Sequence, residues 1–270
     1  MRRRKPAPTS AGGSMPLLDH LRELRTRVFR AALAVAVGTV LAFVFYEQLL
    51  DFLTRPYTQI EPELADQGID TNLVITGIGG AFQFQLKISV VAGIVISSPV
   101  WLWQLWAFVL PALHRNERKW ALLLTAVGFP LFAAGVALAY VILPKAILVL
   151  IGFVPEGFAS LVSGAEYYDF VLRMMLVFGV AAEIPLVVVM LNRLGAVSGA
   201  QLVRARPWTV IGLFVFAAVA TPSTDPLTML FLAVPMTALY LVSEIIARVT
   251  DRRRASAAGD DLADDELSPL

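Results

Sequence analysis

The chain has 270 residues, 57% of them hydrophobic, with a formal net charge of +1 and a mean hydropathy of +0.71. That balance excludes an ordinary soluble domain. The absence of cysteine excludes disulfides, thiolate metal sites and cysteine nucleophiles.

Residues 1–14 are mostly Arg, Pro, Ala, Gly and Ser, too polar and small to bury a core, and are expected to form a disordered basic tail. The ordered domain is expected over 15–250. It opens with His20-Leu-Arg-Glu-Leu-Arg-Thr-Arg27, a basic segment running helically into the first apolar run at 28–50. Glu23 and Arg27 share a helical face at a spacing of four. Arg2-Arg3-Arg4 ahead of an apolar run resembles an export signal. However, the run is too long for a signal core and no small-residue cleavage site follows, so it reads as a retained first span.

The second run, 78–110, contains Pro99 and carries Trp101, Trp103, Trp106 and Phe108 in its basic-side half. Tryptophans gather at membrane interfaces, and Pro99 predicts a kink. The loop after it, Leu113-His-Arg-Asn-Glu-Arg-Lys119, sets Glu117 alone among bases, as Glu23 stands alone in the first segment. Orientation needs only the bases, so each glutamate suits a guest cation; ordinary interface charge is the alternative. The third run, 120–150, holds Pro130 and Pro144, and the fourth, 165–192, holds Pro185 and the deepest acid, Glu183. An acid at that depth is either a proton relay or a neutral, hydrogen-bonded structural carboxyl. Lys87 and Arg173 are placed to snorkel, and Glu244 is expected at the interface.

The fifth run, 207–221, is short: Trp208 to Ala220 rises about 20 Å. A polar turn, Thr221-Pro-Ser-Thr-Asp-Pro226, leads into the sixth run at 227–247. Short polar-tipped spans suit a partner helix or a thinned bilayer. Residues 251–270 are expected to be a disordered acidic tail.

A bilayer core of about 30 Å takes about 20 apolar residues, so the fold class is an all-α membrane protein with six transmembrane helices. Lys and Arg concentrate in the N-terminal segment, 115–119, 193–206 and 248–254, whereas the alternate loops offer only Arg55 and Lys145 beside Glu61, Glu63, Asp66, Asp70, Glu156 and Glu166. The positive-inside bias therefore places both termini in the cytoplasm of a multi-pass protein of the cytoplasmic membrane. The several prolines suggest bent helices and a concave bundle.

These residues resemble the TatC family, the polytopic subunit of the twin-arginine protein translocase. The resemblance runs from about 17 to 250. It rests on the 20–27 segment, Ser98-Pro-Val-Trp-Leu-Trp-Gln-Leu-Trp-Ala-Phe108 continuing through Pro111-Ala-Leu-His-Arg-Asn-Glu-Arg118, Ala182-Glu-Ile-Pro185, Arg204-Ala-Arg-Pro207, Ala220-Thr-Pro222 and Ala233-Val-Pro-Met236. It implies recognition of signal peptides with two adjacent arginines on folded cargo, assembly with TatA-like and TatB-like single-span partners and with further copies of the chain, and use of the proton-motive force. It implies no enzyme activity, cofactor, metal or nucleic acid. By resemblance, Glu23, Arg25, Arg27 and Glu117 belong to the signal-binding patch. Glu183 matches the membrane-embedded acid, Asp225 the acid of the last outer loop and Pro56 a proline of the first. Thr221 and Thr228 are the remaining polar candidates for partner contact, because Met229 is apolar where some relatives are polar.

Three other readings compete. A transporter needs a polar path, yet Glu183 is the only deep acid. An intramembrane Ser–His hydrolase lacks a buried histidine, since His20 and His114 both lie in basic segments. A purely structural protein leaves the glutamates in the basic loops without a use.

Overall fold

A computed structural model describes residues 17–66, 71–74, 79–109, 117–153, 160–220 and 226–265. The tail expected over 1–14 lies outside them. Five stretches are long and apolar enough to cross a membrane: His20–Val44, Leu122–Ile151, Gly164–Arg193, Gly199–Ala220 and Pro226–Arg254. A sixth is a bent pair, α4 (Gly80–Ile96) and α5 (Ser98–Val109), meeting at 57°. Pro99 stands in the first turn of α5, where its missing donor is least costly, so the break falls at Ser97 just before it.

The first apolar run proves to be two elements. α1 (Leu17–Val44) ends at Phe45, whose φ of −97° and ψ of 27° turn the chain into α2 (Tyr46–Thr58). Glu47, Gln48 and Asp51 are exposed on α2, so residues 46–50 leave the span instead of completing it. A short α3 (Glu61–Asp66) and β1 (Thr71–Val74) follow. β1 pairs in parallel with β2 (Ser160–Ser163), Thr71 opposite Ser160. This two-stranded tie between the acidic-side loops is the departure from an all-α fold among the described residues.

α6 (Glu117–Ile151) and α7 (Gly164–Ala182) pack through small residues. A β-carbon on Gly135 of α6 would lie 2.3 Å from the Phe178 carbonyl oxygen, and one on Gly179 of α7 would lie 2.7 Å from the Phe132 ring. α1 and α4 touch in the same way, where a β-carbon on Gly38 would stand 2.7 Å from the Gly93 carbonyl oxygen. In lipid there is no water to drive helices together, so close backbone approach and dispersion contacts do the holding.

α8 (Ile184–Arg193) continues the fourth span and stops at Gly195, whose φ of 75° is the left-handed turn that lets Gly195 and Ala196 donate back to Asn192 and Leu191. The fifth span, α9 (Gly199–Ala220), is longer than its apolar run. Its 22 residues rise about 33 Å, enough to cross, with Arg204 and Arg206 inside the helix. α10 (Pro226–Asp265) runs 40 residues, about 60 Å, twice a bilayer core. The ordered chain therefore extends past the expected boundary at 250. Asp251 accepts from Asn192 Nδ2 at 2.8 Å and from the Gly199 amide at 2.6 Å, while Arg254 donates to the carbonyls of Asn192 and Arg193 at the end of α8. Side-chain partners on another helix extend the order where apolar patterning has already ended.

Candidate functional site

On the first turns of α1, Arg27 grips Glu23 through Nε at 2.8 Å and Nη2 at 2.5 Å. Both nitrogens reach the same oxygen, Oε1. Each side chain is 21% exposed, so the pair is wet enough to exchange. Arg22, Arg25, Thr26 and Arg30 complete a polar cleft of about 370 Å³ around them. Arg25 is exposed and makes no ion pair among the described residues.

The start of α1 is packed against another span. His20 stacks on Phe108 with ring centroids 4.5 Å apart and 19° between planes. That contact sets the start of α1 against the end of α5, eight residues before α6 opens at Glu117. The Glu117 side chain itself lies outside the described residues.

Pro56 sits inside α2 and is buried. Having no N–H, it leaves the carbonyl of Phe52, four residues back, without its helical donor. Tyr140 of α6 supplies one: its hydroxyl donates to the Phe52 oxygen at 2.9 Å, and its ring stacks on Phe52 at 4.2 Å and 5°. Tyr167 of α7 donates to the neighbouring Leu53 carbonyl at 2.8 Å. The proline is thereby converted into an attachment point for two spans.

Glu183 stands at the break between α7 and α8, with Pro185 in the first turn of α8. It is 8% exposed, and neither carboxylate oxygen has a hydrogen-bond partner among the described residues. Gly128 of α6 makes room for it: a β-carbon there would lie 3.0 Å from Oε2 and 3.3 Å from Oε1. The acid is buried, and among the described residues no donor reaches it.

Of the polar-tip candidates, Thr221 and Asp225 lie outside the described residues. Thr228 is fully buried near the start of α10, so it faces the bundle and not a lipid-side partner. This corrects the expectation that it stands ready as a surface contact.

Glu244 is 2% exposed and held between α9 and α10. Arg206 of α9 forks onto it, Nε to Oε2 at 2.9 Å and Nη2 to Oε1 at 2.6 Å, and Arg248 donates to Oε1 from one turn along α10. The spacing of four from Glu244 to Arg248 is visible in sequence, but the Arg206 partner is not. Lys87 pairs with Asp169 of α7 at 2.5 Å, a partner that carries no sequence signal because it lies at a span end. Among the described residues no three His, Asp or Glu side chains gather to hold a metal ion.

Fold and site together define a polytopic helical membrane protein with a polar cleft at one membrane face and an acid within a broken span that has no hydrogen-bond partner among the described residues. Residues 19–235 match the family model for the Sec-independent protein translocase protein (TatC), and the chain belongs to that family. It is 46% identical over 266 residues to the Sec-independent protein translocase protein TatC of Frankia casuarinae, covering 95% of this chain and 73% of the relative. It is 40% identical over 248 residues to that of Xylanimonas cellulosilytica, covering 90% and 89%. Its fold is similar to crystal structures of the twin-arginine translocase receptor TatC. One has a TM-score of 0.72 and 30% identity over 84% of this chain and 97% of that one. Another, in DDM, has a TM-score of 0.74 and 31% identity over 85% and 99%.

Proposed function

We propose that this chain is the signal-receiving subunit of a twin-arginine translocase. It binds two adjacent arginines of a signal peptide at Glu23 and Glu117, with Arg25 and Arg27 bordering the site. The carrying observation is the Glu23 carboxylate, which already holds a guanidinium in an open cleft and uses a single oxygen to do so. A helical pair at a spacing of four is worth about 0.3–0.5 kcal/mol. A hydrogen bond to a charged group is worth about 1.5–3 kcal/mol. A forked guest arginine therefore competes well with Arg27, whereas lysine, a point charge, does not fit the fork.

In this reading both termini and the cleft face the cytoplasm. TatA-like and TatB-like single-span partners supply the donor that Glu183 lacks, Asp225 and Thr221 line the outer approach to them, and Pro56 fixes the acidic-side cap. Copies of the chain assemble within the complex, and the proton-motive force drives export of folded cargo.

The test is binding of a twin-arginine peptide to the purified protein. Glu23→Ala together with Glu117→Ala should lower affinity at least tenfold without loss of membrane insertion, and a twin-lysine peptide should bind the wild type as weakly. Undiminished binding to the double variant rejects the reading. Orientation is checked separately in the cysteine-free chain: a cysteine at position 66, and not one at 116, should react with an impermeant thiol reagent added outside.

A further inference from the structure

A groove of about 370 Å³ opens between α2, α4, α6 and α7, lined by Phe52, Val91, Val95, Ala137, Val141 and Met175 among others. Its volume lies in the roughly 300–1,000 Å³ range of ligand sites. No charged side chain lines it, and the one hydroxyl on its wall, that of Tyr140, is committed to the Phe52 carbonyl. The groove opens toward lipid, since Val141 is 70% and Ile96 52% exposed.

Two bases stand one turn beyond its walls. Arg55 follows Phe52 by three residues on α2, and Lys145 follows Val141 by four on α6, spacings that share a helical face. Both are exposed, and neither makes an ion pair among the described residues. Asp51, one turn before Arg55, does not pair with it. These bases lie on the acidic side of the bundle, where orientation gains nothing from them. Lys87, on the same side, is already matched to Asp169.

We propose that this groove is a phospholipid site: one acyl chain fills it, and Arg55 and Lys145 hold the phosphate. An empty apolar groove forfeits dispersion contacts along its walls, and its surface offers water no partners. A lipid tail is the apolar filler in greatest supply. Tails gain little by leaving one apolar surface for another, so selectivity rests on the two bases and favours an anionic headgroup.

The test uses the full chain in nanodiscs of equal phosphatidylglycerol and phosphatidylcholine, each carrying a photoactivatable group on the acyl chain. Phosphatidylglycerol should label the groove about tenfold over phosphatidylcholine. Arg55→Gln with Lys145→Gln should bring the ratio to near unity, while Arg55→Lys with Lys145→Arg preserves it. Ala137→Phe should abolish labelling of the groove by filling it. A thermal midpoint in lipid-free detergent matching wild type confirms that each variant is folded. An unchanged ratio in the glutamine variant, or labels on α1 and α9 in place of the groove, overturns the proposal. So does capture of a single-span partner helix by a cysteine at 137 in whole membranes.

Discussion

Glu183 and Glu244 are both acids buried in the helical bundle, yet they are treated in opposite ways. Glu244 receives a fork from Arg206 and a further bond from Arg248, so two helices close on it. Glu183 receives only space, where Gly128 omits a side chain. A compensated acid of this kind stitches α9 to α10. An uncompensated one costs stability, since burying a polar group without a partner is unfavourable by about 1–3 kcal/mol. A chain that keeps such a group beside Gly128 retains a hydrogen-bonding site that its described residues do not use.

The largest expected effect comes from stripping Glu244 of its partners. Arg206→Ala with Arg248→Ala removes the side-chain donors that reach Glu244 among the described residues and should lower the unfolding midpoint in detergent more than any other change below. Wild-type stability in that variant would erase the distinction between the two acids.

Next comes Glu183 itself. Glu183→Lys adds a charge within the span, costing about 2.5–3.5 kcal/mol, and should reduce both folded yield and export. Glu183→Gln keeps the shape and the hydrogen-bonding capacity, so its stability should stay within about 0.5 kcal/mol of wild type. Equal behaviour of the two variants in unfolding and export assays would show that the site does not sense charge.

The glycines sharpen the same contrast. Gly135→Ala drives a β-carbon into the Phe178 backbone and should cost about 1–3 kcal/mol. Gly128→Ala meets the tip of Glu183 and the Leu186 Cδ2 at 3.2 Å, side-chain ends that can shift, and should cost less. Its cost should fall in a Glu183→Ala background, where only the Leu186 contact remains, a coupling that a double-mutant cycle measures directly.

The smallest effect concerns Tyr140, which repairs a bond where Glu183 goes without. Tyr140→Phe removes the donor to the Phe52 carbonyl and should cost about 1 kcal/mol. In Pro56→Ala the helix regains its own amide at that carbonyl, so Tyr140→Phe should then be nearly silent in the same unfolding assay. Equal costs in both backgrounds would mean that the proline does not create the need for the tyrosine.

Much of this was legible in the chain because each signal is local. Apolar length predicts spans, proline before a bend predicts the α4–α5 break, and a spacing of four predicts the Glu23–Arg27 pair. The misses share a different cause. The end of the first span at Val44 depends on a turn whose flanks are still partly apolar. The extension of α10 depends on Asn192 and Gly199, more than fifty residues away from Asp251. The burial of Thr228 and Glu244 depends on what packs over them, and a linear pattern assigns both to a surface because they are polar.

Sequence by itself thus determined the solvent of this protein, the order of its spans and the segregation of its charges into alternate loops. These follow from transfer free energies and helical periodicity, which act residue by residue. Tertiary structure alone decided which acids are compensated, which carbonyl Tyr140 repairs and where a groove remains open to lipid. Those outcomes turn on ångström-scale distances between helices, set by the close approach of Gly38 to Gly93 and of Gly135 to Phe178, which no one-dimensional pattern encodes.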